Sequence, residues 1–157
     1  MHKSKDGYDS NFDFCDYEEK NGFWGLGHCD HDAKEIVLTQ KYYVYGQFSR
    51  YIRPGMTMIH IDENTLGAYD KENHKCVIVA VNPTDKEMNT EFDFGAFEKA
   101  GKTCKVYVTN GSTKSGKKWF REDDLKFNEK TLLAHLSPHS VTTFITDETL
   151  LKRSLVP

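Results

Sequence analysis

Between Lys41 and Gly55 the chain reads KYYVYGQFSRYIRPG, a helical pattern that stops abruptly before a long stretch of β patterning. Val44, Tyr45, Phe48, Tyr51 and Ile52 recur at i, i+1, i+4, i+7 and i+8, one stripe of a 3.6-residue period. The spacing predicts an amphipathic helix over residues 39–54 with Tyr45, Phe48 and Ile52 buried. Thr39 is the expected N-cap, and Arg50 and Arg53 fall in the last turn, where the helix dipole favours cations. Pro54 disfavours helix at Arg53 and has no amide proton, and Gly55 tolerates the left-handed geometry that often follows. Gly46 inside the helix costs about 1 kcal/mol relative to alanine, which marks a close approach by another element.

A length of 157 residues fits one domain able to fold without staples. The formal net charge of -3 argues against nucleic acid, whose phosphates call for a basic surface. No apolar segment follows the first lysines, so no secretory signal is expected, and the aliphatic run at 77–81 is far too short for a bilayer span. Cys15, Cys29, Cys76 and Cys104 are scattered without a C-x-x-C pair. Zinc ribbons and redox motifs need that close spacing, so free thiols are expected, with a Cys15–Cys29 disulfide as the open alternative.

Past Gly55 the period becomes two. Strand signals stand at 56–61, 66–69, 75–82, 89–94, 103–110, 131–136 and 141–146, with a weaker one at 118–121. Turn chemistry such as NPTDK and NGSTKSG closes them. Short antiparallel strands without intervening helices predict a mainly β chain: a Greek-key-like β-sandwich of about seven or eight strands preceded by one amphipathic helix. The expected division is a loop and small hairpin at 1–38, the helix at 39–54, the sandwich at 55–148 and a tail at 149–157.

The segment YYVYGQFSRYIRPG resembles the end of the catalytic barrel in glycoside hydrolase family 30, where the last barrel helix runs into a C-terminal β-sandwich. The flanks agree in order. GFWGLGHCDHDAKEIVLTQK resembles the hairpin before that helix, TLGAYDKENHKCVIVAVN the first sandwich hairpin, and SPHSVTTFIT the closing strand with its S-V-T-T signature. Within the family the resemblance is to microbial endo-acting enzymes such as endo-β-1,6-galactanases. It implies a parent that is a retaining O-glycosyl hydrolase, often secreted, whose two glutamates stand on strands 4 and 7 of a (β/α)8 barrel. Such a barrel takes about 250 residues by itself, so residues 1–38 read as the remnant of a barrel end. No Glu here matches a catalytic position, and the expectation is no catalytic residue and no cofactor. Family sandwiches also borrow a strand from before the barrel, which implies an unpaired edge in this chain.

Candidate binding residues are few. In a parent enzyme Trp24 and His28 would lie at the barrel's catalytic face and line a sugar subsite. Trp119 and Phe120 are the sandwich aromatics on which a pyranose could stack, although one of two adjacent strand aromatics normally points inward. His28, Asp30, His31 and Asp32 are the densest potential metal ligands, but a short turn cannot aim them all at one point, so no metal is expected. Three readings follow: a non-catalytic sandwich region supporting a barrel in a parent or partner chain, a stand-alone carbohydrate-binding module for polysaccharide, and a small metal-dependent enzyme built on the HCDHD turn. The sequence leaves sugar, linkage and compartment open.

Overall fold

The computed structural model describes residues 25–30 and 32–152, with the side chains of His28 and Asp30 outside that description. The expected small hairpin is present: β1 (Gly27–Asp30) pairs antiparallel with β2 (Glu35–Leu38) and leads into α1 (Gln40–Ser49). Then come β3 (Thr57–Asp62), β4 (Thr65–Asp70), β5 (Lys75–Asn82), β6 (Met88–Asp93), β7 (Phe97–Lys99), β8 (Thr103–Asn110), β9 (Phe120–Lys126), β10 (Thr131–Leu136), β11 (Ser140–Thr146) and β12 (Leu150–Leu151). The mainly β, antiparallel class expected from the sequence is what the chain adopts.

Six strands form one sheet in the order β3-β4-β5-β11-β8-β9, while β10 pairs with β6 and β12 with β7. β11 reaches the middle by a crossover, with Thr143 opposite Val79 on one side and Tyr107 on the other. Its position explains its composition. Every residue of β11 is buried, and β5, its neighbour, reads CVIVAV because both of its faces are covered. On one face Cys76, Ile78, Ala80, Val106, Val108 and Phe144 meet Phe92, Leu132, Ala134 and Leu136 of the β6/β10 pair, giving a sandwich-like main core. On the other, Val77, Val79, Val141 and Ile145 meet Val44, Phe48, Tyr51 and Ile52 from the helical segment.

Several expectations need correction. The α-helix ends at Ser49 with Arg50 as C-cap, so neither arginine sits within its last turn. Pro54 has no N–H to return to Arg50, and Gly55 turns the chain at φ +94. Arg53 reaches back instead, its Nη1 donating to the Ser49 carbonyl at 2.7 Å. Tyr45 is 65% exposed, and Phe48 and Ile52 are half-buried; the buried helix positions are Gln40, Gly46 and Gln47. Thr39 has N-cap backbone angles but makes no side-chain cap. Its hydroxyl donates to the carbonyls of Gly25 and Leu26 at 3.3 and 3.1 Å, and the first-turn amide of Gln40 goes to Thr113 Oγ1 at 3.1 Å. Within the segment expected as a tail, Leu150–Leu151 pairs with β7 and Thr149 is fully buried, while residues 153–157 lie outside the described residues.

Candidate functional site

The helix meets the sheet through a polar seam. Gln47 is fully buried, and its Nε2 donates to Thr109 Oγ1 at 2.8 Å and to the carbonyls of Tyr107 and Val141, each at 3.2 Å. Thr143 Oγ1 lies 2.6 Å from Gln47 Oε1 and 3.1 Å from the Gln47 carbonyl. One glutamine thus ties β8 and β11 to the middle of α1. Thr143 gives a physical reason for the last threonine of S-V-T-T, which anchors the helix from the central strand. The pattern did not single out Gln47, because polarity at a helix position usually indicates solvent.

A second clamp holds the helix N-terminus. Gln40 Nε2 donates to the carbonyls of Asn110 and Lys117, both at 2.8 Å, so the loop at 111–117 closes over the start of α1. This loop delivers Trp119, a bulky residue held at φ +50, a conformation costing on the order of 1–3 kcal/mol. Its backbone N–H donates to Thr109 Oγ1 at 3.2 Å, and its indole Nε1 donates to the Tyr43 carbonyl at 2.7 Å. Gly46 is the close approach expected from sequence: a Cβ there would stand 2.6 Å from Trp119 Nε1, inside the ring's space. Arg50 stacks on the indole at 4.1 Å, and Tyr42 and Tyr43 lie 5.5 and 4.9 Å from it. Trp119 is therefore engaged with the helix rather than held out as a sugar platform.

Phe120 points the other way. It is 52% exposed, opposite Val108 in register, and Lys117 Nζ lies 5.0 Å from its ring centroid. It borders a groove of about 480 Å³ shared with Val106, Glu122, Leu125, His135 and Phe144. Lys117 also pairs with Glu122 at 2.5 Å across the rim. Trp24 and His31 lie outside the described residues, as does the His28 side chain, so the structure brings no described partner to them. Pro54 and Gly55 serve the turn after the helix.

Among the described residues, Asp70 is held below the usual carboxylate range by hydrogen bonds, chiefly from the Asn73 side chain, and Glu148 by its bond from Lys99. Burial pushes the thiols of Cys76 and Cys104 up to about 12, leaving them protonated and unreactive at neutral pH, whereas Cys29 is exposed. No helix among the described residues is long and apolar enough to cross a membrane.

Comparison with known proteins finds similarity to glycoside hydrolases. No family model matches the chain. An endo-β-1,6-galactanase of Hypocrea rufa is 33% identical over 124 residues, covering 77% of this chain and 26% of the enzyme. A glucuronoxylanase of Bacillus subtilis is 27% identical over 122 residues, covering 69% of this chain and 25% of that protein. Among solved structures, a glycoside hydrolase family 30 subfamily 8 xylanase from Clostridium acetobutylicum superposes with a TM-score of 0.57 at 25% identity, over 78% of this chain and 30% of the xylanase. The catalytic domain of a family 30 xylanase from Talaromyces cellulolyticus shares the fold at a TM-score of 0.59 and 17% identity, over 78% of this chain and 27% of that one. The chain thus spans about a quarter of the length of the relatives it matches, and over that span it is similar to an endo-β-1,6-galactanase, a glucuronoxylanase and family 30 xylanases.

Proposed function

We propose that this chain is a non-catalytic support region of a family 30-like glycoside hydrolase, bracing a catalytic barrel that its 157 residues are too few to include. The observation that carries the reading is the surface on the helix side. Leu26, Ile36, Val37 and Tyr45 are 41, 70, 37 and 65% exposed, and they sit just before β1, on β2 and on α1, the helix that β2 leads into. Exposed apolar side chains on elements joined in this way mark an interaction surface. Tyr45 belongs to the stripe that periodicity reads as buried, and a barrel packed on the outer face of α1 would bury it. The polar seam behind the helix fits the same role, since it fixes α1 to the sheet and leaves the outward side free to dock.

The test joins two assays. The isolated chain should release no sugar from β-1,6-galactan or glucuronoxylan. A chimera carrying this chain in place of the matching quarter of the Hypocrea rufa galactanase should fold and hydrolyse β-1,6-galactan. Turnover by the isolated chain would overturn the reading. A stand-alone carbohydrate-binding module has weaker support, because Trp119 is engaged with Gly46, Arg50 and Tyr43 and Phe120 is left as the one exposed ring of the pair. Calorimetry against galactan and xylan should show no saturable heat.

A further inference from the structure

The chain holds two Asn-x-Ser/Thr triplets, Asn82-Pro83-Thr84 and Asn110-Gly111-Ser112, and the fold sorts them. Their asparagines share one row of the sheet, since Ser140 of β11 pairs with Asn82 on one side and with Asn110 on the other. Asn82 is fully buried, and its Nδ2 donates to the carbonyls of Lys86, Leu136 and Ser137 at 2.7, 3.2 and 3.0 Å. No substituent fits on that nitrogen, and the proline at the middle position bars the triplet as a glycan acceptor in any case.

Asn110 is the opposite case. It ends β8, and β9 reaches only to Phe120 opposite Val108, so among the described residues no strand flanks its outer side. Asn110 and Ser112 are half-buried, and Gly111 between them is exposed and turns the chain at φ +68. Asn110 Oδ1 accepts the Lys117 N–H at 3.1 Å, which fixes the orientation of the side-chain amide. Its Nδ2 has no partner among the described residues and is not one of their buried unpaired atoms, so it is open to solvent.

The loop at 111–117 is held through other atoms. The Asn110 N–H donates to the Lys117 carbonyl at 3.2 Å, the Gly116 N–H donates to the Ser112 carbonyl at 2.7 Å, and Gln40 holds the carbonyls of Asn110 and Lys117. Replacing one hydrogen on Nδ2 leaves all of these bonds, and the Oδ1 acceptor, in place. We propose that Asn110 is an N-glycosylation site that takes its oligosaccharide from a polyprenyl-diphosphate donor. Nδ2 attacks the anomeric carbon, and a C–N bond forms as the C–O bond to the diphosphate breaks. The leaving diphosphate takes the electron pair, and the amide gives up one proton to the transferase. Ser112 supplies the hydroxyl that the acceptor triplet requires. Alternation along β8 turns Asn110 to the face opposite Thr109, whose hydroxyl meets Gln47, so the glycan grows from the side of the sheet away from α1.

The test is delivery of the intact chain into the yeast endoplasmic reticulum behind a leader peptide, with the soluble protein purified from cells and medium. Most molecules should carry a mass that peptide N-glycosidase removes, leaving an aspartate at position 110. Asn110→Gln and Ser112→Ala should each abolish that mass, whereas Ser112→Thr should keep it. The glycan should lower the thermal midpoint by no more than about 2 °C relative to the enzymatically deglycosylated chain. Soluble chain with an unmodified Asn110 would overturn the proposal. So would a glycan that survives Asn110→Gln, or a midpoint that falls further than this when the glycan is present.

Discussion

Gln47 ties α1 to the sheet through bonds made where water cannot replace them. Gln47→Leu should lower stability by about 3 kcal/mol in urea unfolding, since it takes from the seam the amide that donates to Thr109 Oγ1 and to the carbonyls of Tyr107 and Val141 and accepts from Thr143. Gly46 tests the opposite intuition. Alanine favours a helix by about 1 kcal/mol, yet at this position its methyl would collide with the Trp119 indole. Gly46→Ala should therefore destabilise by about 2 kcal/mol, and a gain in the midpoint would contradict the packing described. Thr142 offers a gain instead. Its hydroxyl is buried without a partner among the described residues, and Thr142→Val keeps the shape while removing the orphan, so a rise of about 1 kcal/mol is expected. The two core thiols make a pH prediction whose sign is fixed. Their folded values lie above the ordinary 9.0, so the stability they lend is complete below pH 9.0 and is lost as the pH rises towards about 12. Iodoacetamide at neutral pH should label Cys29 and leave Cys76 and Cys104 untouched in the native chain.

At the scale of elements, legibility followed burial. β5, β8 and β10 stand where the apolar runs and alternation put them, at 75–82, 103–110 and 131–136, because core strands must carry their pattern in sequence. β9 was visible only as a weak signal at 118–121, since an edge strand reading FREDDLK can keep its charges in solvent and carries a bulge opposite Lys105. β7 and β12 are three and two residues long, too short for any period to show. The helix was recognisable in kind but turned differently than its stripe implies. Periodicity assumes that the apolar side faces inward, whereas here the sheet presents Thr109 and Thr143 to α1 and selects Gln47 for burial. Of the candidate site residues, Trp119 stands just before β9 at φ +50, so strand alternation alone did not fix its direction relative to Phe120. Which of the two would be exposed depended on Gly46, 73 residues before Trp119 in the chain and legible only as a glycine with an unnamed neighbour.

At the scale of the whole molecule, the six-stranded sheet is covered among the described residues by the β6/β10 pair on one face and by α1 on the other. α1 leaves Tyr45 65% exposed, and that outward side is where a barrel would sit. The two faces of α1 thus predict different sensitivities: inward substitutions destabilise the isolated chain, while outward ones matter only when a barrel is present. Tyr45→Asp separates them. In the isolated chain this exposed residue should change stability by no more than about 0.5 kcal/mol. The decisive measurement is the effect of Tyr45→Asp on the thermal midpoint of the galactanase chimera, set beside its effect on the isolated chain. A fall of several degrees in the chimera and almost none in the isolated chain is the predicted result; equal shifts in both, or no shift in the chimera, would contradict the claim that α1 seats a barrel.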